Sequence, residues 1–159
     1  MTTSPDPSDL PDYLAAAPDP AAPRERLMIV ARAVEDGRYL LVRRQRASAL
    51  GLLSTDPPRR TEGLRNAVGS IVGTHLGVTL RGEPLRSEKR HPVHTLHPYT
   101  GGQSTSYLRV IAVEVAGEPK ADPLFAGMEA LPLADARLAL STDLERALIA
   151  DGATLLGDQ

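Results

Sequence analysis

The chain has 159 residues, of which 18 are Lys or Arg and 20 are Asp or Glu, with four His, no Cys and 42% hydrophobic residues. That length suits one domain with a real core, and the apolar fraction excludes a chain disordered throughout. A formal charge of −2 speaks against bulk binding to nucleic acid or to an anionic membrane, and the lack of cysteine excludes disulfides, thiolate catalysis and Cys-based zinc sites.

Residues 1–25 stand apart. They carry six of the fourteen prolines and few large apolar groups. Such a segment buries too little surface to offset its ordering entropy, so it reads as a mobile tail ahead of a folded domain over 26–159. Within it, Leu10, Tyr13 and Leu14 stand at helical spacing behind Ser8 and Asp9, which suits a short helix capping its own domain. No apolar run nears the roughly 18–20 residues of a membrane span, and the start lacks the basic-then-apolar layout of a signal peptide. The expected location is the cytoplasm.

From Leu27, LMIVARAV and YLLVRR form two β-runs joined by an Asp36-Gly37 turn. GLLSTDPPRR follows as a loop, because adjacent Pro57 and Pro58 forbid regular structure. Leu64, Ala67, Val68, Ile71, Val72 and His75 then recur on one face of a helix, with Thr61 as its N-cap and Gly77 as the left-handed residue that closes it. Gly63, Gly69 and Gly73 each weaken that helix by about 1 kcal/mol relative to Ala, so packing holds it or something approaches closely. The stretch from Leu80 to Gln103 reads as extended and turn-rich, with a break at Gly101-Gly102. STSYLRVIAVEVAG is the longest β-run. Apolar residues from Leu131 to Leu140 precede a helix from Thr142 or Asp143 through Ile149, on a Leu144, Ala147, Leu148 stripe. The order implies an α/β class fold with a mixed sheet covered by helices.

The DGRYLLVRR hairpin, the Pro-rich loop, a Glu and a helix ending in Gly-apolar together resemble the Nudix hydrolase superfamily over about residues 26 to 150. The family's box is Gly, five residues, Glu, seven residues, Arg-Glu, an apolar residue, any residue, Glu-Glu, any residue, Gly, an apolar residue. Anchored on Gly77 and Val78, the spacing puts Glu62 on the first box glutamate and Val72 on the inner apolar position. Asp56 stands at the box Gly, Ser70 at the Arg, Ile71 at the first helical Glu, and Thr74 and His75 at the Glu-Glu pair. The resemblance implies an α/β/α sandwich with a mixed β-sheet, and in the family those helical carboxylates gather Mg²⁺ around a diphosphate. Hard divalent cations want several oxygen ligands, which an alkyl group, a hydroxyl and an imidazole do not supply.

Three functions follow. The first is a degenerate Nudix-like domain that binds a small nucleotide-like or phosphorylated ligand in the cleft between the sheet and the box helix, needs no cofactor, and serves as a sensor, regulatory or accessory protein. The second is a divergent hydrolase of a nucleoside diphosphate derivative, with Mg²⁺ ligands from outside the box such as Glu83, Glu88, Glu114 or Glu118. The third is a non-hydrolytic enzyme using His75 as acid or base. A homodimer covering the Ile71–His75 face would suit an interaction scaffold instead.

His75 holds a family ligand position and carries the side chain suited to proton transfer near neutral pH; as a packed residue it simply ends the apolar stripe. Glu62 is a candidate metal ligand or a carboxylate favoured by the helix dipole. His91, His94 and His97 form HxxHxxH, and on a strand His91 and His97 share one face while His94 points to the other, making His91 and His97 weak metal candidates. Arg32 interrupts an apolar strand, as a ligand contact or a solvated group does. Arg43, Arg44, Arg46, Arg59 and Arg60 cluster near the Pro loop. Sixteen Arg against two Lys reads first as codon bias, so phosphate recognition rests on Arg44, Arg59 and Arg60 individually. Tyr107 could stack on a ligand ring or sit half-buried in the sheet.

Overall fold

The computed structural model describes residues 24–44, 49–58, 63–96, 99, 101–120 and 122–158. The expected tail helix, and Arg46, Arg59, Arg60, Thr61, Glu62 and His97, lie outside the described residues.

Among the described residues, seven strands form one mixed sheet and three helices cover its two faces. The elements are β1 (Arg24–Ala33), β2 (Tyr39–Arg44), β3 (Leu50–Gly51), β4 (Leu53–Thr55), α1 (Leu64–Leu76), β5 (Thr79–Leu96), β6 (Gln103–Ala116), β7 (Phe125–Leu131), α2 (Leu133–Ala139) and α3 (Asp143–Leu155). The main path runs β3-β2-β1-β6-β5, with β4 on β1 and β7 on β2. β1 and β6 pair in parallel over ten residues, from Arg24↔Ser106 to Ala33↔Val115, while the other strand pairs described are antiparallel. β1 begins at Arg24, two residues before the expected domain boundary.

The alternation of side chains along β1 and β6 sorts the core into two layers. Leu27, Ile29 and Ala31 join Ile111, Val113 and Val115 under Val68, Val72 and Leu76 of α1. Val30 and Val110, with Tyr39 and Leu41 of β2, meet Ala136 of α2 and Leu148, Ile149 and Ala153 of α3 on the other face. Each large side chain buried this way stabilises by roughly 1.5–3 kcal/mol.

The tight turn after β1 is the expected one: Gly37 takes φ 71°, Ala33 N donates to Arg38 O at 2.8 Å, and the Asp36 carboxylate accepts from Arg38 N at 3.0 Å. α1 buries the expected stripe and ends on Gly77 in the left-handed region at φ 68°. Its N-cap is Gly63 rather than Thr61, so only Gly69 and Gly73 lie inside the helix.

Four expectations change. The segment before Pro57 carries β3 and β4 instead of irregular loop, since the prolines end the second short strand without reaching it. Leu80–Leu96 is one continuous strand with two register shifts against β6, at Arg81/Leu85 and Arg86/Arg90. The apolar stretch from Leu131 to Leu140 is the end of β7 followed by α2. α3 runs on to Leu155, and its buried face is Leu148, Ile149, Gly152 and Ala153, while Ala147 is exposed.

Candidate functional site

Two regions hold the candidate residues, and the sheet separates them. On the α1 face, His75 is half-buried at the last turn of the helix. Its ring meets Phe125 edge-on at 5.5 Å, and its Nδ1 lies 3.3 Å from Asp122 Oδ2 without hydrogen-bond alignment. The backbone N–H groups of Lys120 and Asp122 satisfy the carbonyls of Leu76 and His75, so the chain entering β7 closes the helix end and fixes Asp122 beside the imidazole. Ile71 packs against the core and Thr74 is exposed. The helix LRNAVGSIVGTHL contains no Asp or Glu, so its donor set does not fit a hard divalent cation.

Of the reserve carboxylates, one stands at the start of α1 and two lie elsewhere. Glu83 pairs with Arg65 at 3.2 Å and Glu114 with Arg32 at 3.3 Å, while Glu118 lines a separate acidic hollow with Glu35 and Asp36. Among the described residues, no three His, Asp or Glu side chains stand where they could hold one metal ion.

On the other face, a cleft of about 390 Å³ opens between the sheet and the first turns of α3. The outward alternation of β1 and β6 places Arg26, Met28 and Leu108 in its wall; β2 adds Val42 and Arg44, and α3 adds Leu144, Glu145 and Leu148. Short β3 and β4 close the side with Leu50, Gly51, Leu52 and Ser54. The lining is mostly apolar with a few polar groups at its rim, the usual make-up of a small-molecule site.

Those polar groups differ in their freedom. Arg26 donates through Nε to Ser54 Oγ and through a terminal nitrogen to Asp56 Oδ1, both at 3.0 Å. Arg44 is exposed and forms no ion pair among the described residues. Glu145 stands in the first turn of α3, where Thr142 caps the helix by accepting from Glu145 N at 3.1 Å.

Of the sequence candidates among the described residues, Arg44 alone lines this cleft. Arg32 shares its sheet face but sits farther along, 3.3 Å from Glu114 and 4.0 Å from Asp158. Beside it the buried Tyr39 donates to Asp158 Oδ2 at 2.9 Å. Burial first, then that bond and the Asp158 charge, push the Tyr39 phenol up to about 12. Tyr107 faces the α1 side under Arg90, whose guanidinium lies 4.7 Å from the ring centroid. His91 meets Asp151 of α3 at 2.7 Å and His94 meets Thr105 at 3.0 Å, so β5 carries these two imidazoles to different partners. Arg43 pairs with Glu129 of β7. The structure therefore does not bring His75, Arg32, Arg44 and Tyr107 into one cleft.

Sequence reasoning missed Arg26, Glu145, Asp122 and Asp151. Glu145 had a readable signal, because Thr142-x-x-Glu145 is a capping box. The two Asp residues had none.

No family model matches the sequence, and no curated protein matches it. Solved structures do. The E. coli dihydroneopterin triphosphate pyrophosphohydrolase superposes with a TM-score of 0.59 at 11% identity, over 86% of this chain and 99% of that one. The Nudix domain of Shewanella oneidensis NrtR, in complex with ADP ribose, gives 0.57 at 16% identity, over 91% and 97%. A Listeria monocytogenes protein described as a Nudix hydrolase gives 0.62 at 8% identity, over 83% and 93%.

Proposed function

We propose that this chain, which has the Nudix fold, binds a small nucleotide-like or phosphorylated ligand in the α3-side cleft without hydrolysing it. On this reading it is a cytoplasmic sensor, regulatory or accessory domain. The observation that carries it is the split between the two faces. The cleft keeps an apolar floor and an exposed Arg44 with no ion pair among the described residues, while the helix at the box position offers Ile71, Thr74 and His75 in place of carboxylates. Apolar walls take a ring, and an exposed guanidinium takes an anion with two parallel N–H donors. One structural neighbour is held with ADP ribose, which supports a nucleoside diphosphate derivative as ligand class. No helix is long and apolar enough to cross a membrane among the described residues.

Thermal unfolding against nucleotides, nucleotide sugars and phosphorylated metabolites, each with and without Mg²⁺, tests the proposal. A ligand at about 100 times its dissociation constant adds roughly 2.7 kcal/mol, which raises the midpoint by roughly 5–10 °C at this size. The expected shift is independent of Mg²⁺ and is lost in Arg44→Ala. A shift that requires Mg²⁺, with release of phosphate, would replace this reading by the divergent hydrolase.

A second reading rests on the half-buried His75 with Asp122 Oδ2 3.3 Å from its Nδ1, since an imidazole is the side chain suited to proton transfer near neutral pH. A bell-shaped pH–rate profile abolished by His75→Ala would establish it, and turnover indifferent to that change would remove it.

A further inference from the structure

We propose that Glu145 makes the cleft selective for a ligand ring that presents two adjacent N–H donors, the edge that guanine offers and adenine does not. The inference rests on the nucleotide reading of the cleft given above. Glu145 is held before any ligand arrives: its backbone N–H is taken by Thr142, and the Thr142 hydroxyl donates back to Glu145 Oε1 at 3.2 Å. That cap turns the second oxygen toward β3, where a methyl group placed on Gly51 would lie 3.3 Å from Glu145 Oε2. Both residues line the cleft. The chain thus has a bare glycine beside the second carboxylate oxygen, where any side chain would crowd it.

Oε2 accepts no hydrogen bond among the described residues, and Glu145 pairs with neither Arg26 nor Arg44 among them. A carboxylate is an acceptor only, so a ligand that displaces its water must bring donors or leave it unpaired at a cost. The guanine edge supplies N1–H and the 2-amino group side by side, matched to the two oxygens. Hypoxanthine supplies only the first. Adenine sets its N1 lone pair against the carboxylate and is repelled. Arg44, on the β2 wall, is left for the phosphate.

Titration calorimetry with GMP, IMP and AMP, without divalent metal, tests this on the full chain and on Glu145→Gln. Gln serves the capping box as Glu does, so the fold is retained. GMP is expected to bind about tenfold to a hundredfold more tightly than AMP, with IMP between them. Glu145→Gln is expected to bring the three within about threefold by weakening GMP alone. Gly51→Ala, which crowds Oε2 without changing charge, is expected to weaken GMP more than AMP. Equal affinities for the three in the unaltered protein, or a GMP preference that survives Glu145→Gln, would overturn the role of Glu145 and leave the nucleotide site standing. Failure of all three to bind would overturn both.

Discussion

Gly152 gives the sharpest test of how α3 is seated. It lies on the buried face of the helix, and a Cβ added there would fall 2.6 Å from Val30 Cβ, 2.6 Å from Cγ1 and 2.7 Å from Cγ2. Favourable carbon–carbon contact begins near 3.5 Å, so each of these is about 1 Å too close. Rotating Val30 gives no relief, because its Cβ is fixed to a strand paired to β6 along its whole length. The helix must lift, loosening Leu148, Ile149 and Ala153 as it goes. Overpacking of this kind costs about 1–3 kcal/mol or more, against about 1 kcal/mol gained in helix propensity. Gly152→Ala is therefore expected to lower the melting midpoint by roughly 3–8 °C. Gly69 and Gly73 are the controls. Their added Cβ atoms would find Leu80 Cδ1 at 3.5 Å and Val78 O at 3.8 Å, ordinary contacts. Ala at either is expected to raise the midpoint by roughly 3 °C, since propensity is then unopposed. Calorimetric melts of the three variants read this directly, and a Gly152→Ala midpoint at or above the parent would refute the close approach.

Tyr39→Phe removes the bond to Asp158 and should cost about 1 kcal/mol in urea unfolding. Because the folded phenol is held up at about 12 against 10.0 for an ordinary tyrosine, its contribution is complete below pH 10 and is lost as pH rises from there through 12. The parent should therefore lose stability across that window more steeply than Tyr39→Phe, and parallel curves would contradict the linkage. His91→Ala breaks the 2.7 Å contact with Asp151 that ties β5 to α3; faster amide exchange around residues 89–93 is expected, with about 1 kcal/mol lost. Thr142→Ala should cost about 1 kcal/mol as a lost N-cap, read in the same unfolding titrations.

What could be read from the sequence was whatever repeats with a clear period. The α1 stripe, Gly77 and the Asp36-Gly37 turn needed no tertiary information, since periodicity and positive φ are local properties. β5 hid because its residues are mostly polar and exposed, and Pro92 lies within it. It is a strand because β6 pairs with it, which is a non-local cause. β3 and β4 are two and three residues long, too short for any period to register. The stripe expected on α3 holds at Leu144 and Leu148 but not at Ala147, which is exposed while Ile149 and Gly152 are buried. At the cleft, Arg44 was legible as a charge following a strand, but Arg26 and Glu145 lie 119 positions apart and meet only through the sheet and its helices. His75 was legible by its position at the end of the box spacing, while its neighbour Asp122 comes from a segment with no motif.

The parallel seam between β1 and β6 also sets a timetable. Glu25 and Arg109, 84 positions apart, join across it at 2.6 Å, so the central pairing of the sheet waits until most of the chain has been made. Until then the apolar edge of β1 has only β2 and β4 beside it. Long-range closure of this kind slows folding and prolongs the exposure of sticky strand edges. The seam therefore gives this small domain a late step during synthesis, when chaperone capture or aggregation competes with folding.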